Sequence, residues 1–509
     1  MRTIGIRHRV KRTAAGEARP TQVCILDNGQ ESMSCHLLSD NDELDWARGK
    51  FPITFRPVEP NESLEDFNPR HVVWRIVRKD EEVSHVSETH LRTVAGKRQI
   101  AIRVPSAYDG LKSGDVVAMS PGSGDRLAFA LSRVGETLCA TVLRIPTAVL
   151  KGRRGNGKRD DDARLMAELA LNEPNLFHEV TANARRIIMV RELHDLRIAA
   201  MMARIACEQR MRQSYIGHVF CSETDMLELD VEAQFEAAKA SDSVLAALVM
   251  EETRRIRDLD RAVQETSVWE AILADVTGIG PAIAGRLISA IGTIERFMVE
   301  PDQKLMDALY EESVRLERDA NFAGLRKYVP QEGTTFDVLR RTASWCAVNS
   351  RPSQAAKLER AVECHQTRSR LRRDARNKGR AKLKAYCGVH LQMEEHEPDE
   401  TESGELVHRF ARRRAGHVSN WHPGARQALY LLGSLQFVRQ GDRTYWGRMY
   451  REYIVKFRTT HPEVLCGKCG VPWEKCSDPT SSSHTRRYSD GHIQRMAMWR
   501  TVTKFTEWL

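Results

Sequence analysis

Three cysteines near the end of the chain have the types and spacing of a metal site. Cys466 and Cys469 form a Cys-x-x-Cys on a glycine-containing turn, and Cys476 follows in CGKCGVPWEKC. Such a pair is half of a tetrahedral zinc site. Cys476 is the expected third ligand and His484 the fourth, with His461 and His492 as rivals for that last place. The other reading is a set of free buried thiols. A second group is acidic. Asp160, Asp161 and Asp162 stand in GKRDDDARLMAEL, at the start of an amphipathic helix that follows a strand. Carboxylates converging at such a point can hold Mg2+ for phosphoryl transfer. Three aspartates are also an ordinary helix N-terminal cap, and the run alone does not separate the two.

A third pattern suits phosphate. In VTGIGPAIAGRLISAIGTIERF, Val276 to Phe297, Gly278 and Gly280 free the backbone to turn tightly and approach a ligand. Pro281 stands where a helix begins, a position that needs no N–H donor. Exposed N–H groups and the helix dipole there favour an anion, so the segment reads as a helix-hairpin-helix that grips nucleic acid. The alternative is a Gly-Pro turn used only for packing. Arg368 to Lys384 adds nine basic residues against one acid, Asp374. Arg370, Arg372, Arg373, Arg376, Lys378 and Arg380 are the expected phosphate contacts, with Arg426 further on. A solvated helix face is the competing explanation.

These groups need a sizeable scaffold. At 509 residues the chain can hold two to four domains with real cores. Its net charge of +9 and isoelectric point near 9.0 favour a polyanionic partner. No apolar run approaches the ~18 residues of a membrane span, and the basic N-terminus lacks the apolar stretch of a secretory signal. The eleven cysteines are mostly scattered, which suits a reducing compartment. The expectation is a cytoplasmic protein, nucleoid-associated if bacterial, with no membrane partner.

Four segments are expected. Residues 1–178 read as α/β, with strands over Thr3 to Ile6, Gln22 to Leu26, Val72 to Val77, Gln99 to Val104, Asp115 to Met119 and Leu138 to Leu143. A helix over Arg126 to Val134 lies between the last two, so the sheet should be partly parallel. Residues 179–268 nearly lack glycine and repeat apolar residues at spacings of four and three. That pattern fits a coiled coil between chains and a helical hairpin within one chain equally well. Residues 269–465 are mainly helical and carry the Gly-Pro turn and the basic run. Residues 466–509 form the Cys-rich tail.

Together these segments resemble the insertion-sequence transposases of the IS-one-hundred-ten/one-hundred-sixteen group. That family joins an N-terminal RuvC-like (RNase H-like) DEDD domain, a coiled coil and a C-terminal helix-hairpin-helix domain. RTIGI resembles its first strand, and KRDDDARLMAEL its acidic helix start. VTGIGPAIAGRLISAIGTIERF, LKAYCGVHL and GHVSNWHPGARQALYLLG resemble its C-terminal domain, and YSDGHIQRMAMWRTVTKFTEWL the closing helix of some members. There are departures. Arg7 stands where the first aspartate follows Gly-Ile, and Met119, Ser120 and Pro121 stand at the expected glutamate. Asp162 matches the last aspartate, while Arg159 holds the place three before it unless Asp160 substitutes. About eighty residues are inserted between Phe297 and Leu383.

The resemblance implies a DNA transposase or site-specific recombinase that cuts and rejoins strands through a covalent serine–DNA link. Ser403, in TESGE, matches the nucleophile, and Asp160 and Asp162 would hold whatever Mg2+ the acidic site keeps. It also implies a structured guide RNA and a homo-oligomer formed through the long helices. The missing carboxylates support another outcome: a catalytically inactive, transposase-derived nucleic-acid-binding protein.

Overall fold

The computed structural model describes residues 2–9, 19–60, 62–78, 86–122, 124–221, 230–395, 406–410, 421–481 and 484–509, with backbone only at 391–395 and 406–410. The chain forms two compact units, Met1–Met189 and Val190–Leu509. Both mix helix and strand, and helix predominates in the second.

The first unit is built on a six-stranded mixed sheet. Its strands are β1 (Arg2–Arg7), β2 (Thr21–Asp27), β3 (Gln30–Leu37), β8 (Val116–Met119), β9 (Thr141–Arg144) and β10 (His178–Glu179). They lie in the order β10-β9-β8-β1-β2-β3. β1 pairs parallel with β8, and β8 with β9; β2 runs antiparallel to both β1 and β3. The central strands are apolar on both faces because both faces are covered. Ile4, Ile6, Val23, Ile25, Val117 and Met119 face α1 (Asp40–Ala47), α2 (Asp125–Leu138) and the first turns of α5 (Ala182–Phe220). Cys24, Leu26 and Ala118 face the other way, toward a layer containing α3 (Thr147–Arg154) and α4 (Asp162–Asn172).

Gly5 sets the depth of that second layer. A Cβ at Gly5 would overlap the carbonyl oxygen of Ala163, so only glycine lets α4 lie this close to β1. Between α1 and β8 the chain inserts a small antiparallel sheet of β4 (Phe51–Pro57), β5 (Val73–Ile76), β6 (Leu91–Val94) and β7 (Lys97–Asp109). Val72, Ala101 and Val104 form its own small core. The sequence indicated β5 and part of β7 but gave no sign of β3, β4 or β6.

In the second unit the rest of α5 runs beside α6 (Val231–Ser241) and α7 (Ser243–Gln264). Arg204 pairs with Glu252 at 2.6 Å, Lys239 with Glu208 at 2.5 Å and Arg212 with Glu232 at 3.0 Å. The pairing order is antiparallel and lies within one chain, so these contacts form the helical hairpin. A π-helical turn, Trp269–Leu273, then leads through the Gly-Pro turn into α8 (Pro281–Ile291).

α9 (Gln303–Asp319), α10 (Phe322–Leu325), α11 (Thr335–Val348) and the long α12 (Pro352–Cys387) follow. They enclose a core of Leu325, Leu339, Cys346, Leu358 and neighbours. This segment, which the resemblance marks as an insertion, has a core of its own. Two strands, β11 (Leu391–Glu395) and β12 (Leu406–Phe410), pair antiparallel. α13 (Pro423–Leu431) and α14 (Val438–Gln440) flank a π-helical stretch, Leu432–Phe437; α15 (Tyr445–Thr460) follows, and α16 (Asp490–Trp508) closes the chain. β13 (Leu465–Cys466) and β14 (Arg486–Arg487) pair in the Cys-rich segment. No helix among the described residues is long and apolar enough to cross a membrane.

Candidate metal centre and nucleic-acid interface

Cys466, Cys469, Cys476 and His484 converge. Their ligand atoms all lie within 4.8 Å of one another. The Cys469 and Cys476 sulfurs are 3.8 Å apart, and His484 Nδ1 lies 3.4 Å from Cys466 Sγ and 3.1 Å from Cys476 Sγ. Zinc–sulfur bonds of about 2.3 Å on a tetrahedron place two sulfurs about 3.8 Å apart, so the donor set fits zinc in type and in spacing. These four residues can bind a metal such as zinc.

Local backbone holds the turn. Gly470, at φ +70°, donates its N–H to Cys466 O at 3.0 Å. Gly467 donates to Thr485 O at 2.7 Å, which ties the turn to the residue after His484, and Cys466 donates to Val471 O at 2.8 Å, which closes the turn. Amide N–H groups of Cys469 and Lys468 point at the Cys466 sulfur and lower its thiol pKa, while burial and the neighbouring sulfurs raise that of Cys476, so with no ion present the cluster holds its negative charge at Cys466. The two rival histidines are otherwise engaged. His461 stacks on Tyr488 at 3.8 Å between ring centres, and His492 lies 5.7 Å from the same ring and accepts the Tyr488 N–H.

The acidic run does not converge. Asp160 is exposed and pairs with Arg7 at 3.0 Å and Arg19 at 3.4 Å. Asp162, buried at the start of α4, is held by Arg154 through Nε and Nη2, each at 2.6 Å. Arg7, at the end of β1, thus sets a cation against Asp160, which disfavours a divalent ion there. Among the described residues only the cysteine–histidine group gathers three or more metal-type ligands. The expectation of Mg2+ at Asp160 and Asp162 finds no support here: each carboxylate is already matched by a guanidinium. Sequence reasoning missed Arg154. Its signal was the basic run KGRRGNGKR just before the acids.

At the Gly-Pro turn the two glycines differ. Gly278 has φ +92°, and a Cβ there would overlap the Gln440 side-chain amide and come within 3.0 Å of Gln436 Cβ. Gln440 also donates to Thr277 O at 2.7 Å. That side of the turn is closed by protein. Gly280 is exposed, has open space around its Cβ position and caps α8 without any side-chain acceptor. Pro281 has no N–H and Ile283 donates to Gly280 O at 3.0 Å, so among the described residues the Ala282 N–H is the first-turn donor of α8 left to an outside acceptor.

On α12, Ala375 and Leu383 are buried, and a Cβ on Gly379 would sit 2.9 Å from Phe297 O. This small-residue face lets the helix lie close to the chain. Arg370, Arg372, Arg373, Arg376, Lys378, Arg380 and Lys382 point outward and are exposed. None of the seven makes an ion pair among the described residues. Arg368 instead covers the ring of Tyr310 at 4.7 Å, and Lys384 pairs with Glu507 at 2.7 Å. Arg426 is set between the indoles of Trp421 and Trp499, at 4.8 and 5.0 Å, and serves packing there. Ser403 lies outside the described residues.

The chain was compared with known proteins. No family model matches it, and no curated protein matches it.

Proposed function

We propose that this chain is a nucleic-acid-binding protein on a transposase-like architecture, with DNA phosphates as its main contact. The observation that carries the reading is the outer face of α12. Seven exposed cations without acidic partners span about 18 Å of helix, at 1.5 Å per residue. A solvated helix usually offsets such charge with acids, whereas a polyanion neutralises it directly. The open first turn of α8 at Gly280 supports a helix-hairpin-helix role beside it. The strand path β3-β2-β1-β8-β9, with only β2 reversed, supports an RNase H-like (RuvC-like) reading of the first unit.

In that reading the first unit has exchanged metal chemistry for ion pairs, Arg7–Asp160 and Arg154–Asp162. It positions nucleic acid and does not cut it through Mg2+. Zinc, bound by Cys466, Cys469, Cys476 and His484, would cross-link the tail as a structural ion. Exposed Met202, Val249 and Met250 on the helical hairpin support self-association.

A second reading is strand cleavage and rejoining through a serine–DNA link at Ser403, with a guide RNA choosing the target. The order of elements favours it: mixed sheet, helical hairpin, Gly-Pro turn, closing helix. The first reading is tested by binding labelled duplex DNA over a salt series. Replacing Arg370, Arg372 and Arg373 with alanine should lower the log–log salt slope by about 2.7, three contacts at about 0.9 each. An unchanged slope overturns it. A covalent protein–DNA adduct lost in Ser403→Ala would instead establish the second.

A further inference from the structure

The inserted helical segment carries an exposed aromatic stack. The Tyr328 ring lies parallel to Trp345, 4.9 Å between centres and 5° between planes. Trp345 packs on the local core with Leu339, Cys346 and Leu358. Tyr328 is 52% exposed. The indole thus anchors the phenol ring from the core side and leaves much of that ring open to solvent. Two cations attend the pair. Lys327 Nζ is 5.1 Å from the Tyr328 ring centre, and the Arg351 guanidinium is 5.5 Å from that of Trp345. Both are exposed, and neither makes an ion pair among the described residues.

A flat, pre-stacked and exposed ring needs a flat partner to cover it. The cations beside it favour a partner that carries negative charge. An unpaired nucleobase with its own phosphate meets both demands: the base extends the stack, and the phosphate meets Lys327 or Arg351. A base inside a duplex is stacked on both sides and cannot reach the ring. An apolar protein surface would cover the phenol but would leave the cations without a counter-charge.

We propose that Tyr328 and Trp345, with Lys327 and Arg351, form a stacking site for an unpaired base of single-stranded nucleic acid. This rests on the nucleic-acid reading above and narrows it, since the outer face of α12 answers to backbone charge while this site answers to single-strandedness. The aromatic pair lies in the segment that interrupts the resemblance to the transposases, so it is a property of this chain.

The test uses the full-length protein with labelled oligodeoxythymidine, oligouridine and a DNA duplex, read by fluorescence anisotropy. Tyr328→Ala should weaken single-strand binding about tenfold, the scale of one lost base–aromatic stack, and leave the duplex unchanged. Tyr328→Phe should restore the affinity, because the ring and not the hydroxyl stacks. Lys327→Gln with Arg351→Gln should also weaken single strands. Preference for oligouridine over oligodeoxythymidine identifies RNA as the source of the base, and the reverse identifies DNA. Equal single-strand affinity for Tyr328→Ala and wild type, with duplex binding and its salt slope intact, overturns this site alone. Loss of duplex and single-strand binding by the same factor in Tyr328→Ala also overturns it. A wild-type protein that binds none of the three probes overturns this site and the nucleic-acid reading together.

Discussion

Arg154 grips Asp162 at two points, Nε to Oδ1 and Nη2 to Oδ2, both 2.6 Å. The two side chains are 13% and 8% exposed. A fork-to-fork pair of this kind satisfies the carboxylate and fixes its plane. Asp162 is therefore tied to the last residue of α3. The residue that the resemblance marks as a metal ligand is held here by a guanidinium.

Stability follows from that pairing. Removing one partner of a buried pair leaves an uncompensated charge and costs about 3–5 kcal/mol. Arg154→Ala should therefore lower the melting temperature strongly, and Arg154→Ala with Asp162→Asn should recover part of the loss. Millimolar Mg2+ should leave wild-type melting unchanged. A melting temperature that rises with Mg2+ would mean that the ion displaces the guanidinium.

The Cys-rich segment should behave as a metal-stabilised module. Purified protein is expected to hold about one zinc per chain by elemental analysis, and His484→Ala should reduce that content. His461→Ala and His492→Ala should not, because both rings stack on Tyr488. A chelator should lower the melting temperature of wild type and have a much smaller effect on Cys466→Ser. Zinc content that survives His484→Ala but falls in His461→Ala would reassign the fourth ligand.

Periodic signals were legible in the sequence and distances were not. β1, β2 and β8 stood out because both their faces are buried, so apolar residues run without a break. β3 was silent: QESMSCHL is mostly exposed at the sheet edge and carries no apolar run. Spacings of four and three in α5 fixed a seam but not its partner, because a seam against α6 and α7 of the same chain has the same period as one between chains. At the metal site the Cys-x-x-Cys was plain. Three histidines competed for the last place, and only the backbone that brings Thr485 to Gly467 decides for His484. Arg154 ends α3 and Asp162 begins α4, eight positions apart across a turn, a separation that no periodicity rule connects.

The two glycines of the Gly-Pro turn should separate folding from binding. Gly278→Ala places a Cβ at φ +92° against Gln440, so it should destabilise by about 1–2 kcal/mol or more. Gly280→Val meets open space and should fold normally, yet it adds bulk at the exposed N-terminus of α8, where the Ala282 N–H is left open. The expected result is unchanged melting with weaker duplex binding for Gly280→Val. Duplex affinity equal to wild type would leave the turn with a packing role only.

The last expectation concerns pH. His194, on α5, is 8% exposed, and its Nδ1 has no hydrogen-bond partner. Burial first, then the charges of Arg286 and Arg197, push its pKa from 6.5 down to about 4. The folded state therefore keeps this imidazole neutral where the unfolded chain would protonate it. Between pH 6.5 and 4 the unfolded state binds the extra proton, so the stability that His194 contributes is full above pH 6.5 and is lost as pH falls toward 4. The shift from 6.5 to about 4 sets an upper bound of about 3.5 kcal/mol, since each unit is worth about 1.4 kcal/mol. Asp260, whose carboxyl burial raises, acts in the opposite direction in the same region. The difference between wild type and His194→Gln cancels that contribution. Urea unfolding at pH 7 and pH 4.5 should show His194→Gln losing less stability than wild type over that interval. Parallel losses in the two proteins would mean that His194 titrates normally and that its neighbours do not hold it neutral.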